Sequence, residues 1–343
     1  MSITAQHRAM AALLALLSCA GARAASFDCR QAKAPTERAI CGNAALSALD
    51  ERMAQSYQRA MAALSPAGGA ALKTSQRTWL RYVPQVCRPA TPTQAPDVAC
   101  LTKELQQRVQ RLDQAGVKLG TLVLNHVDQY DARPSPPGDD NGQSAGLVVH
   151  QIGQVQIDGA TTPAQLAWNR AQKPQAAPAL PRDGDNDDDA DVFIDTTIAC
   201  GSERLLSLET TSYRYPHGAA HGIYAFTVTT VLPQAGMRPL TAADLFDQSS
   251  GWRTRLPALF WQTYAADADA SKTAEVEQTV RAVAADERRW LITPAGLRIG
   301  FNAYEAGSYA DTPGPITVAW GALKPLLVGH QAPACDVSFI DKR

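Results

Sequence analysis

The chain has 343 residues, a formal net charge of −1 and 45% hydrophobic residues. That length favours two domains, and the apolar content is enough for a packed core, which excludes a disordered chain. The balance of 32 basic against 33 acidic residues argues against a generally basic nucleic-acid binder.

At the N-terminus, His7 and Arg8 precede an apolar run from Ala9 to Leu17. A bilayer takes about 20 apolar residues, so the run is too short to span one. Ala22-Arg23-Ala24 then supplies the small-x-small pattern of a cleavage site. Residues 1–24 are expected to be a signal peptide, giving a periplasmic or secreted chain that starts at Ala25. Leu16-Leu17-Ser18-Cys19 also forms a loose lipobox, in which Cys19 carries a lipid anchor, although Leu17 stands where a small residue is preferred. No later stretch reaches membrane-spanning length. Losing residues 1–24 removes Arg8 and Arg23 and takes the net charge from −1 to −3.

Residues 25 to about 115 read as helical. Asn43 is a good N-cap. After it, Leu46, Leu49, Met53, Tyr57, Met61 and Leu64 recur at three- and four-residue spacing. Residues 65–69 read as a break. Leu72, Gln76, Trp79 and Val83 mark a second helix, which Pro84 is expected to end. Residues 88–97 hold three prolines and read as a loop. Leu101, Leu105, Val109 and Leu112 mark a third helix, with Gly116 near its end. Short connections between such segments predict an antiparallel helical hairpin set.

Beyond residue 117 the composition shifts towards strand formers. Residues 147–157, 192–199, 205–215 and 222–232 read as strands. Residues 133–142 and 174–191 are Pro- and Asp-rich loops. Helices are expected over 251–265 and 274–288, and strands return near 297–301 and 316–320. Strands and helices mix without a strict alternation, which predicts an α+β fold with a mostly antiparallel sheet.

Of 7 cysteines, Cys19 falls in the leader. Cys29, Cys41, Cys87, Cys100, Cys200 and Cys335 remain, and an even number in an exported chain implies disulfides. Six cysteines allow 15 pairings. Their placement favours Cys29–Cys41, Cys87–Cys100 and Cys200–Cys335. A crossed arrangement of the first four, joining helix ends, stays open.

Three motifs invite chemistry. Gly142-Gln143-Ser144-Ala145-Gly146 matches a nucleophile elbow, but that elbow needs a strand before it and a helix after it. Here a Pro-Asp loop precedes and a strand follows. His217-Gly218-Ala219-Ala220-His221 sets two histidines four apart, as in a helical zinc motif. Pro216 and the glycine disfavour a helix, and a turn with one buried, hydrogen-bonded histidine is the simpler reading. Residues 183–189, with Asp185 and Asp187, resemble the start of a calcium loop. The sixth and twelfth positions, Asp188 and Ile194, lack the Gly and Glu such a loop wants. No catalytic residue, metal site or cofactor is assigned.

The pattern from Cys29 through Thr36-Glu37-Arg38-Ala39-Ile40-Cys41 continues with Leu46-Ser47-Ala48-Leu49-Asp50 and Tyr57. Gln76-Arg77-Thr78-Trp79-Leu80, Cys87 and Cys100 complete it. This stretch resembles the LprI-type domain, a small cysteine-containing module named for a mycobacterial lysozyme inhibitor. The family often carries Arg-Asp before its third cysteine, where this chain has Val83-Pro84.

The remainder resembles an RsiV/PdaC-like, DUF3298-type exported domain. The marks are Ser207-Leu208 leading to Tyr215, then Gly218-Ala219-Ala220-His221-Gly222. Leu240-Thr241-Ala242-Ala243-Asp244-Leu245-Phe246 and Leu291-Ile292-Thr293-Pro294-Ala295-Gly296-Leu297 follow. Phe301-Asn302-Ala303-Tyr304-Glu305 and Ser308-Tyr309-Ala310 come last. RsiV senses lysozyme by binding it. PdaC proteins add a separate deacetylase domain, and deacetylation is not expected of this chain.

Together the resemblances imply residues 25–116 as a disulfide-stapled helical domain and 117–343 as an α+β domain. They imply a non-enzymatic envelope protein whose partner is a lysozyme-like muramidase or peptidoglycan. The alternative is a peptidoglycan-associated accessory or cell-wall enzyme of the PdaC type. His217, His221, Tyr304, Glu305 and Tyr309, with Asp185 and Asp187 of the acidic loop, are the expected partner-binding residues.

Overall fold

The computed structural model describes residues 25–88, 95–135, 146–172 and 189–340. The expected leader, Cys19, most of the Gly142–Gly146 motif, and Asp185 and Asp187 lie outside them. No helix among the described residues is long and apolar enough to cross a membrane.

The helices come first. A 3-10 turn, Cys29–Gln31, precedes α1 (Pro35–Gly42), and Cys29–Cys41 ties the two together. Asn43 caps α2 (Ala44–Ala63), its side-chain oxygen accepting from the N–H groups of Ala45 and Leu46 at 3.0 and 3.2 Å. Such a cap stabilises a helix by about 1 kcal/mol.

The expected break at 65–69 shrinks to two residues, Leu64 and Ser65. Helix α3 (Pro66–Val86) already starts at Pro66, where proline's fixed φ suits the first turn. The Ser65 hydroxyl accepts from Gly68 N–H at 3.2 Å and donates to Asp158 at 2.7 Å. The Asp158 carboxylate fills the space where a Cβ of Gly68 would stand. Pro84 does not end α3, which runs on to Val86. In the last turn proline removes only one helical N–H bond, so the two remaining residues stay helical. Helix α4 (Val98–Gln114) is capped by Asp97, which accepts from Ala99 and Cys100 at 2.8 and 3.2 Å, and Cys87–Cys100 holds its first turn.

The chain divides into two compact units, Met1–Gln58 with Cys87–Val109, and Arg59–Val86 with Gln110–Arg343. Within the described part of the first, Ile40, Leu46, Met53, Leu101, Leu105 and Val109 are buried. Asp50, also buried, accepts from Ser26 N–H at 2.7 Å.

The second unit is built on a seven-stranded sheet in the order β1 to β7: Val117–Leu119, Leu122–Pro134, Leu147–Asp158, Ala190–Gly201, Leu206–Pro216, Ile223–Leu232 and Arg238–Pro239. All neighbours pair antiparallel except β3 and β4, which pair parallel from His150↔Val192 to Gly153↔Asp195. A parallel pair needs a crossover, and the segment between these two strands carries α5 (Pro163–Ala171). Thr162 and Gln165 form a capping box at its start.

The mixed α/β part follows, with α6 (Ala242–Leu245), α7 (Trp252–Ala265) and α8 (Ala274–Ala285). A second sheet orders β10 (Ile316–Ala319), β9 (Gly296–Ile299) and β8 (Leu291–Ile292), and α9 (Trp320–Leu323) closes the set. Their apolar faces share one core containing Phe246, Trp252, Leu256, Phe260, Val280, Trp290, Ile299 and Val318. Phe246 stacks on Trp252 at 5.3 Å, and both meet Trp290 edge-on at 5.1 and 5.6 Å. Such aromatic pairs contribute about 1 kcal/mol each beyond their buried area. Cys200–Cys335 ties the C-terminal segment to β4, where Phe339 N–H donates to Ile198 at 2.9 Å.

Candidate functional site

Three histidines of the second unit occupy three different settings, and the difference locates the candidate site. His126, on β2, has no exposed surface. Its Nδ1 lies 2.9 Å from Asp128 Oδ1 and its Nε2 2.9 Å from the Thr196 carbonyl. Asp128 and Tyr130 follow at alternate positions on the same strand face. Arg111 of α4 completes the group, donating to Tyr130 Oη at 3.0 Å, with Nε 3.5 Å from Asp195 and 3.7 Å from Asp128. Burial opposes the guanidinium charge, but Tyr130, Asp195 and Asp128 together hold its pKa above the ordinary arginine value. Gly153 makes room for this group, because a Cβ there would stand 2.7 Å from the His126 ring. The network lies largely inside the sheet and is held by charge pairing among Arg111, Asp128, Asp195 and His126, so it ties helix and strands together.

His217 follows the last residue of β5. Its side chain is only 2% exposed. Nδ1 lies 2.7 Å from Asp189 Oδ1 and 3.2 Å from Ser135 Oγ, and Nε2 lies 3.2 Å from Asp191 Oδ1. Asp191 also accepts from Val149 N–H at 2.8 Å, and His217 N–H donates to the Asp189 carbonyl at 3.0 Å. Serine, histidine and aspartate therefore meet here, but the carboxylate of Asp189 is nearer the shared ring nitrogen than the serine hydroxyl is. The contacts join the ends of β2, β3, β4 and β5, and the arrangement reads as a clamp.

His221 faces solvent. Gly218 takes a positive φ of 83°, so residues 217–221 turn rather than continue a helix, and the two histidines diverge. His221 Nδ1–H donates to the Gly222 carbonyl at 3.0 Å. In a neutral ring that leaves Nε2 as an acceptor, so Tyr304 O–H donates to it at 2.9 Å. The His221 ring lies 4.6 Å from Tyr309 and 6.1 Å from Tyr304, and Tyr304 meets Tyr309 edge-on at 5.6 Å. Tyr224 meets Tyr309 at 5.5 Å. Tyr213 pairs with Tyr224 across β5 and β6, and its ring fills the space where a Cβ of Gly222 would stand. Four tyrosines and one histidine, drawn from β5, β6 and two loops, thus form one surface platform. Tyr304 is 48% exposed and Tyr213 38%.

The loop that presents Tyr304 is held from behind. Arg289 donates to both carboxylate oxygens of Glu305 at 2.7 and 2.9 Å, and Asn302 N–H donates to Glu305 at 2.8 Å. Burial opposes ionisation of Glu305, but these donors hold its carboxyl below the usual glutamate value. Asn302 in turn accepts from Phe226 N–H at 2.7 Å. Glu305 therefore spends its charge inside the loop, as a brace. Tyr304 has φ +64°, a left-handed conformation that costs a bulky residue about 1 kcal/mol or more. Tyr309 keeps its phenolic proton more firmly than a free tyrosine, through burial and the neighbouring Tyr224, Tyr213 and Tyr304.

Of the residues singled out in the sequence, His221, Tyr304 and Tyr309 come together, Glu305 lies beneath them, and His217 belongs to the clamp. Tyr213 and Tyr224 were missed. Their alternation within two strand-forming runs shows that they can share a face, but only the β5–β6 register sets them opposite each other.

Comparison with known proteins adds the following. No curated protein matches the chain. A solved structure of a DUF3298 family member from Bacteroides fragilis NCTC 9343 is 16% identical, covering 62% of this chain and 96% of its own, with a TM-score of 0.41. A DUF3298 family protein from Pseudomonas aeruginosa PAO1 is 14% identical, covering 62% and 97%, also at 0.41. The family model described as Lysozyme inhibitor LprI matches residues 29–112, the stretch that holds Cys29, Cys41, Cys87 and Cys100.

Proposed function

We propose that this chain is an exported envelope protein that binds a lysozyme-like muramidase, with inhibition of lysis as the sharper form of that activity. The match of residues 29–112 to Lysozyme inhibitor LprI carries the reading. Two further features support it. Three disulfides suit an oxidising compartment outside the cytoplasm. Residues 1–24 have the charge, apolar run and cleavage pattern of a leader.

The test is titration of the purified protein into C-type, G-type and phage lysozymes, with binding followed by calorimetry and lysis by turbidity. Saturable binding at micromolar protein, with slower lysis, is expected for at least one class. Unchanged lysis and no binding in all three would sink the proposal. The intact mass of protein recovered from the envelope separates the two export routes: a chain beginning at Ala25, or one lipidated at Cys19.

A further inference from the structure

We propose that the platform of Tyr213, Tyr224, Tyr304, Tyr309 and His221 is a binding site for a neutral glycan, with pyranose rings stacked on the tyrosine faces. The inference goes beyond the lysozyme reading and does not depend on it, because that reading rests on residues 29–112.

Exposure and geometry mark the platform as a recognition surface. The rings of His221, Tyr224, Tyr304 and Tyr309 are linked by centroid distances of 4.6 to 6.1 Å, and they are tilted or edge-on rather than stacked flat. Tilted rings leave faces open to a ligand. Tyr304 keeps a strained backbone while almost half of its surface stays in solvent. Core packing therefore does not account for the strain. The braced loop and the His221 bond hold the ring outward, and strain of this kind concentrates at functional positions.

Charge and hydrogen bonding select the ligand. The carboxylate of Glu305, nearest in sequence, is neutralised by Arg289 and turned into its own loop. Asp311 accepts from the Ser308 hydroxyl at 2.6 Å. These two carboxylates are engaged, so a cation here would be left with cation–π attraction to the ring faces and no charge pair from either of them. An anion would meet the acceptor lone pairs of Tyr304, whose proton already goes to His221. A neutral polyol avoids both problems. Its C–H faces lie on aromatic rings, and its hydroxyls donate to the Tyr304 oxygen and accept from the other phenols.

The experiment titrates the N-acetylglucosamine tetramer and, separately, maltotetraose into the full protein, following tyrosine ring signals by NMR. Saturable binding of at least one oligosaccharide is expected, weakened about tenfold or more in Tyr309→Ala and in the more exposed Tyr304→Ala. Tyr304→Phe keeps the ring face and loses the hydroxyl, both its bond to His221 and its acceptor oxygen, so it should weaken binding less than Tyr304→Ala. Circular-dichroism melts of each variant establish that the fold persists. No saturation by either sugar at millimolar concentration would overturn the proposal. So would wild-type affinity in a folded Tyr304→Ala, or ring shifts that appear only with a basic protein or with self-association.

Discussion

His126 and His221 belong to the same unit and have opposite surroundings. His126 is enclosed, its ring nitrogens set against Asp128 and the Thr196 carbonyl, with Asp195 close by and Arg111 facing both carboxylates. His221 is exposed and set among neutral phenols. Buried charges must be matched internally, because an unmatched one costs several kcal/mol. Here the charges face one another rather than solvent. Neutral rings at the surface tolerate water and still gain from a partner that covers them. The contrast separates the residues that hold this unit together from those that can recognise something.

The largest expected effect breaks the enclosed side of that contrast. Arg111→Met removes the cation that faces both Asp128 and Asp195 and keeps most of the side-chain volume. Breaking a buried charge group from one side costs about 3–5 kcal/mol. Urea denaturation should show a loss of that size, with oligosaccharide binding at the platform retained in the protein that remains folded. A loss under about 1 kcal/mol would mean that water already screens the pair, and the distinction between the two histidines would weaken.

The same network explains what could not be read from the sequence. Strand β2, the longest, produced no strand signal, because its inward positions near the centre are His126, Asp128 and Tyr130 where a strand reader looks for aliphatics. Their burial is made tolerable by Arg111, which arrives from a helix, and by the absent side chain of Gly153. Neither partner is visible locally. Strands β3 to β6 and helices α7 and α8 carry ordinary apolar patterns and were legible to within a few residues. All three disulfides follow the favoured pairing. At the platform, Tyr304 and Tyr309 stood out as motif residues, whereas Tyr213 and Tyr224 depend on register. Four-residue spacing made His217 and His221 look like partners, and the turn at Gly218 sends one into the clamp and the other to the surface.

A middle-sized effect tests whether Glu305 braces the platform. Glu305→Gln loses the two-toothed charge pair with Arg289, whose two side chains are 24% and 18% exposed. A loss of about 1–2 kcal/mol near pH 7 is expected. The sign with pH follows from the lowered carboxyl pKa. Stability from Glu305 is present above the ordinary glutamate value of about 4.3 and is lost as pH falls through the lower folded value. Thermal melts of wild type and variant should therefore converge in acid. A gap that stays constant down to pH 3 would show that the pair does not supply the stability.

The smallest effect separates the Tyr304 ring from the backbone that carries it. Tyr304→Gly and Tyr304→Ala both delete the ring and its bond to His221. They differ in the left-handed conformation at φ +64°, which glycine accepts freely and alanine does not. The glycine variant should be more stable than the alanine variant by about 1 kcal/mol, even though glycine gains more chain entropy on unfolding. Both should lose sugar binding to the same degree, because the platform needs the ring and not the strain as such. Equal stability of the two would mean that the loop relaxes out of the left-handed region once the ring is gone. In that event the ring's own contacts, chiefly the bond to His221 and the packing on Tyr309, are what hold the backbone in place.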